Sequence, residues 1–120
     1  MQTKDSLEAF ILEGFGRSVD AWVAEHVLGW TPETKYLPWC DADGEAVFPL
    51  PEFHTDRGLR HVIEDRVAEV IDPDEYTEEL SEILIELFDY VGWWQFIRAT
   101  NRQVILAASR AMNLETPDGK

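Results

Sequence analysis

Asp72-Pro73-Asp74-Glu75 constrains the fold more than any other stretch. A capping side chain, a proline for the first helical position and an acid three residues after the cap stand in register for a helix start. Beyond it Tyr76, Leu80, Ile83, Leu84, Leu87, Phe88 and Val91 recur at helical spacing. Segment 72–91 therefore reads as a helix with one apolar face. In a chain of 120 residues that face must pack against most of the remaining apolar residues, which predicts one globular domain over 1–114 with a flexible tail, 115–120.

The same periodicity predicts what surrounds this helix. Leu7, Phe10, Ile11 and Phe15 give a short first helix, ended by Gly14 and Gly16. Ser18 is placed to cap a second, with Val19, Trp22, Val23 and Val27 inside, Gly29 at its C-terminal end and Trp30 packing back onto it. Thr55 is placed to cap a third, whose stripe is Leu59, Val62, Ile63, Val67, Val70 and Ile71. Trp93, Trp94, Phe96 and Ile97 suggest a brief helical turn, and Thr100 caps a last helix with Val104, Ile105, Ala108 and Met112 inside. Between residues 31 and 53 lie four of the six prolines, with Asp43-Gly44 set between two short apolar runs. That pattern predicts a β-hairpin confined to an edge by Pro38 and Pro49. The expected fold class is α+β, mainly helical, with about five helices and one small antiparallel hairpin.

The charge is segregated. The formal net charge is −14, and residues 67–97 carry nine acids and no base. Asp74/Glu78, Glu75/Glu79, Glu78/Glu82 and Glu82/Glu86 are like-charged pairs four apart, each costing about 0.2–0.5 kcal/mol before screening. The helix dipole offsets this near Asp72, Asp74 and Glu75, but acids from Glu82 to Asp89 gain no such relief. Residues 72–89 span about 25 Å and hold eight carboxylates, a density of one per about 3 Å. One strand of DNA carries a phosphate per about 3.4 Å of axis, so such a row can occupy a Lys/Arg-lined groove built for nucleic acid. The alternative is a solvated face that keeps a small protein soluble. Either way the charge disfavours direct nucleic-acid binding or an anionic membrane, and favours a basic protein surface.

Reactive chemistry finds no complete motif. Cys40, His54 and Asp56 could act as nucleophile, base and orienter, but carry no recognised signature. Cys40, His54 and His61 lack paired zinc-ligand spacing, and Asp41-Ala42-Asp43-Gly44-Glu45 does not continue in calcium-loop register. No enzyme, metal or other cofactor is expected. A lone Cys40 fits a reducing compartment, and the N-terminus has neither a signal peptide's basic start nor a membrane-length apolar run, so a cytoplasmic location is expected. Trp93 and Trp94 point about 100° apart on a helix and cannot both face the core fully, so one of them either anchors a partner or covers the hairpin.

The run Val19-Asp20-Ala21-Trp22-Val23-Ala24-Glu25-His26-Val27-Leu28-Gly29-Trp30 resembles the opening helix, of type DAxVAExVxGW, of small bacteriophage and prophage proteins described as a phage α/β/α sandwich. Phe53-His54-Thr55-Asp56, Ala99-Thr100-Asn101-Arg102 and Ala107-Ala108-Ser109-Arg110-Ala111 are similar to its later landmarks. The resemblance implies shared fold and phage origin, not a catalytic activity. Where that family often places further strands, residues 76–91 have helical periodicity. The expected function is a non-enzymatic inhibitor of a host defence or nucleic-acid-binding complex, similar to anti-CRISPR proteins. It would bind by DNA mimicry through Glu75, Glu78, Glu79, Glu82, Glu86 and Asp89, with Trp93 or Trp94 as apolar anchor. The alternative is a phage accessory or structural-interaction protein, a homodimer through its apolar surface, with an acidic face that serves only solubility.

Overall fold

The computed structural model describes residues 4–32, 39–41, 45–47, 50–88 and 92–114. The chain is mainly helical. In order it forms α1 (Lys4–Glu13), α2 (Gly16–Trp22) running into a π-helical turn (Val23–Val27), β1 (Thr31–Pro32), β2 (Trp39–Cys40) and β3 (Ala46–Val47). There follow a 3-10 turn (Arg57–Leu59), α3 (Arg60–Val70), α4 (Pro73–Phe88), α5 (Trp93–Arg98) and α6 (Asn101–Ala111). The β structure among the described residues is slight. Three two-residue segments pair antiparallel, Thr31 opposite Cys40 and Trp39 opposite Val47. The turn Asp43-Gly44, on which the expected hairpin rests, lies outside the described residues, as does the expected tail 115–120.

The last helix is the centre of the molecule. Helices α1, α3 and α4 and the π-turn all pack on α6, whose residues Val104 to Ser109 are buried without a break. A helix buried on every side needs apolar or small residues all round, and Val-Ile-Leu-Ala-Ala-Ser supplies them, with the Ser109 hydroxyl donating to Ile105 O at 2.7 Å. The small side chains of Ala107, Ala108 and Ala111 offer little bulk to the neighbours packed on α6.

Capping explains where the helices begin. Thr100 is the cap expected of it: it accepts from Gln103 N–H while the Gln103 side chain accepts from Thr100 N–H, a reciprocal box. Asp72 accepts from Asp74 N–H at 3.0 Å. Two expected caps are corrected. Asp56, not Thr55, takes Gly58 N–H ahead of α3, because the helical turn begins at Arg57, which puts Asp56 and not Thr55 at the capping position. Gly16 opens α2 rather than ending α1, and Phe15, with no side-chain cap, precedes it, so Ser18 is inside the helix. Gly29 turns the chain at φ 75°, and Trp30 N–H returns to Ala24 O while its ring packs edge-on against the buried Phe53. Val70, expected on the buried stripe of α3, is exposed on its last turn.

Two polar features tie the elements together. Asn101 is buried and its amide donates to Phe53 O at 2.9 Å and Asp56 O at 2.6 Å, fixing the start of α6 to the loop before α3. Asp20 is fully buried in α2: Oδ1 accepts from His54 N–H at 2.9 Å and lies 2.8 Å from His54 Nδ1, and Oδ2 pairs with Arg17 at 2.9 Å. A methyl group at Gly16 would fall 2.2 Å from His54 Nε2, so only glycine lets the imidazole lie there.

Tyr76, on the buried face of α4, donates to Glu64 at 2.5 Å. Burial pushes its phenol well above the ordinary value near 10, the Glu64 hydrogen bond and charge push the same way, and Arg60 opposes them. A raised folded pKa contributes stability that is intact below the unfolded value of about 10 and is lost as pH rises through it. Urea denaturation at pH about 9 and about 11 should therefore show a loss of stability that is smaller in Tyr76→Phe. Equal losses in the two proteins would mean the phenol is solvated.

Candidate acidic interface

Helix α4 divides cleanly. Tyr76, Leu80, Ile83 and Leu84 are buried, while Glu75, Glu78, Glu82 and Glu86 are exposed and Glu79 is half-buried. At about 100° per residue, these five carboxylates fall within a sector about 100° wide. Glu79 lies at the edge nearest Ile83, which accounts for its partial burial. Ile85 borders the other edge and is 48% exposed. The expected face is thus brought together for Glu75, Glu78, Glu79, Glu82 and Glu86; Asp89 lies outside the described residues.

Among the described residues, what leaves this strip uncompensated is the employment of the arginines elsewhere. All seven arginines serve the fold. Arg17 holds Asp20, and Arg102 caps the end of α1 through Ile11 O and Gly14 O. Arg66 donates to Val27 O and pairs with Glu69, and Arg110 pairs with Glu8. Arg57 and Arg60 both donate to Ile97 O at the end of α5, Arg60 pairs with Glu64, and Arg98 stands 5.7 Å over the Trp94 ring. Among the described residues no ion pair or hydrogen bond engages the carboxylates of Glu75, Glu78, Glu82 or Glu86.

Near its start the strip borders an open cleft of about 220 Å³, lined by Glu75, Glu78, Glu79, Arg110, Ala111 and Asn113. Asn113 adopts a left-handed φ of 58° as α6 ends, with Leu114 N–H returning to Ser109 O. Sequence reasoning missed this meeting of α4 with the end of α6. Arg110 follows the small-residue run of α6, and nothing in its local pattern gives the helix it will face.

Helix α5 presents both tryptophans. Trp93 is 70% and Trp94 51% exposed, their rings edge to face at 5.5 Å, and Ile97 is 51% exposed beside them. Neither indole faces the core, because Phe96 takes the inner position. α5 packs against α4, which sets this apolar patch beside the acidic helix.

The residues weighed for catalysis or metal binding are spread over unrelated tasks. His54 meets Asp20, Asp56 is a cap, His61 is exposed on α3, and Cys40 is half-buried in β2. Among the described residues no three histidine, cysteine, aspartate or glutamate side chains gather as metal ligands, and no helix is long and apolar enough to cross a membrane. The Asp20–His54 pair was legible as an anomaly, since Asp20 sits on the apolar stripe of Val19, Val23, Ala24 and Val27. No protein family, curated protein or solved structure matches the chain.

Proposed function

We propose that the chain is a non-enzymatic acidic binding protein of phage type that occupies a basic, nucleic-acid-binding groove of a host protein or complex, such as a defence system. The observation that carries this reading is the strip of unpaired carboxylates on α4, rigidly mounted by its buried face and left uncompensated while the arginines cap and pair elsewhere. A row this dense offers a cationic groove the charge spacing of a phosphate backbone, and its affinity falls steeply with salt as counterions are exchanged. Trp93 and Trp94 supply an apolar anchor beside it. The setting in a bacterial cytoplasm follows from the resemblance of residues 19–30 to phage proteins.

The test is capture from host lysate by the wild type and by Glu78→Gln/Glu82→Gln/Glu86→Gln, with and without competing duplex DNA. A nucleic-acid-binding complex should be held by the wild type, released by DNA and lost by the variant. Retention of the same partners by both proteins would leave the strip as solvation only.

A further inference from the structure

Among the described residues three buried side-chain polar atoms have no hydrogen-bond partner: Trp22 Nε1, Glu79 Oε1 and Arg110 Nε. Two of the three belong to one cleft. Glu79 and Arg110 both line the open space of about 220 Å³ where α4 meets the end of α6, together with Glu75, Glu78, Ala111 and Asn113. The Arg110 side chain is only 8% exposed, and its ion pair, Nη2 to Glu8 at 3.5 Å, leaves Nε unused. Folded chains rarely leave such atoms bare, because their lost hydration is then not repaid. Among the described residues Glu79 and Arg110 form no ion pair with each other. What is missing is a group that donates a hydrogen bond to Glu79 and accepts one from Arg110.

The lining decides what that group is. Glu8 already balances Arg110, which leaves the carboxylates of Glu75, Glu78 and Glu79 without a counter-charge, so an anion is repelled and a cation is drawn in. A point charge does not fit, since among the described residues no three acidic, histidine or cysteine side chains gather closely enough to hold a metal ion. A water bridging the two orphans leaves the carboxylates uncompensated. The occupant must carry a positive donor beside a neutral acceptor, and an α-ammonium next to its own carbonyl is the compact group that does so. We propose that the cleft binds an α-amino amide, the chemistry shared by a peptide N-terminus and a free amino-acid amide. The ammonium donates to Glu79 beside Glu75 and Glu78, and the carbonyl accepts from Arg110 Nε. The cleft is smaller than the about 300–1,000 Å³ of pockets for drug-sized ligands, and so suits a single residue. Both orphans are closed to bulk water, and the ligand reaches them by pushing lining side chains aside. Glu75, Glu78 and Asn113 are exposed, and the carboxylates of the first two engage no partner among the described residues, so that movement costs little. Glu75 and Glu78 also begin the acidic strip, so an occupied cleft lowers the charge the strip presents. The inference rests on the cleft and its orphaned atoms, not on the groove reading.

An NMR titration of the isotope-labelled protein with glycinamide tests it, at pH about 6.5, where an α-amino group is protonated. The Arg110 Nε–H signal and the backbone signals of Ala111 and Asn113 should move saturably in the millimolar range, since so small a ligand has few contacts to offer. Ethylammonium has the same charge and no acceptor. It should bind at least about tenfold more weakly and leave the Arg110 Nε–H signal in place. Glu79→Gln should weaken glycinamide binding about tenfold while circular dichroism stays unchanged. Arg110→Lys keeps the charge without the Nε donor and should bring glycinamide down to the level of ethylammonium; the Glu79 variant and the ligand pair carry the test if this one fails to fold. Triglycine amide separates the two sources: binding at least as tight as that of glycinamide puts a peptide N-terminus in the cleft, and weaker binding leaves the free amide. No saturable shift, ethylammonium matching glycinamide, or undiminished binding by Glu79→Gln would overturn the inference. An empty cleft in a protein that still captures a basic complex removes this site alone, whereas a filled cleft in a protein that captures nothing removes the groove reading alone.

Discussion

Asp20→Ala should lower the unfolding free energy by about 3 kcal/mol, read by urea denaturation at neutral pH. The aspartate is fully buried and its two oxygens accept from His54 N–H, lie against His54 Nδ1 and pair with Arg17. Removing it leaves a backbone N–H and an imidazole without a partner in a site that water reaches poorly, and opens a cavity between α2 and residue 54. Arg17 is 45% exposed and can return to solvent, so its share of the loss is small. Asp20→Asn retains one acceptor and should lose about half as much. Against the about 5–15 kcal/mol typical of a domain, the alanine variant would be marginal at 37 °C. A loss below about 1 kcal/mol would mean that the cluster is hydrated and that Gly16 and His54 hold the loop by packing alone.

Glu82→Lys/Glu86→Lys should separate stability from binding. The double reversal turns the repulsion of Glu78 with Glu82 into a favourable Glu78 to Lys pair four apart, leaves a like-charge pair at positions 82 and 86, and places cations in the C-terminal half of α4. The free protein should be as stable as the wild type or more so, by up to about 1 kcal/mol. Binding to a basic groove should fall by at least about 100-fold, since two charges reverse sign at the contact, a net change of about four units, and attraction becomes repulsion. The salt dependence of the residual binding should be shallower by a corresponding number of released ions. Loss of binding accompanied by loss of stability would sink the reading of these positions as a dedicated surface, because the reversal relieves strain in the folded helix.

Helix α4 was legible in its start and, from Glu75 to Glu86, in its faces because every level agreed: cap, proline, apolar period and acidic strip point the same way, while Leu87, Phe88, Asp89 and Val91 lie outside what the structure describes of its faces. The Thr100 box was equally local and equally readable. What escaped were consequences of long-range packing. Ser18 and Thr55 have the right chemistry for caps, but tertiary contacts shift each boundary, α2 back to Gly16 and the turn before α3 on to Asp56. The all-round burial of α6 is written in Val104 to Ser109, yet a count of one stripe does not reveal the three helices and the π-turn packed on it. For the candidate site, the carboxylates of α4 could be assigned from spacing alone. Their lack of counter-ions could not, because it depends on Arg17, Arg66, Arg102 and Arg110 being used up by partners 3 to 102 residues away. The exposure of both indoles depends on Phe96 reaching the core first.

The central position of α6 also governs how the chain is born. Synthesis delivers α1 through α5 before the helix on which α1, α3 and α4 close, so the nascent chain carries Tyr76, Leu80, Ile83 and Leu84 with no core to enter. During that wait the neighbouring glutamates act as gatekeepers, their mutual repulsion holding the apolar stripe of one emerging chain away from the next. Neutralising the carboxylate row should therefore lower the soluble yield of freshly made chains even where the folded product is more stable.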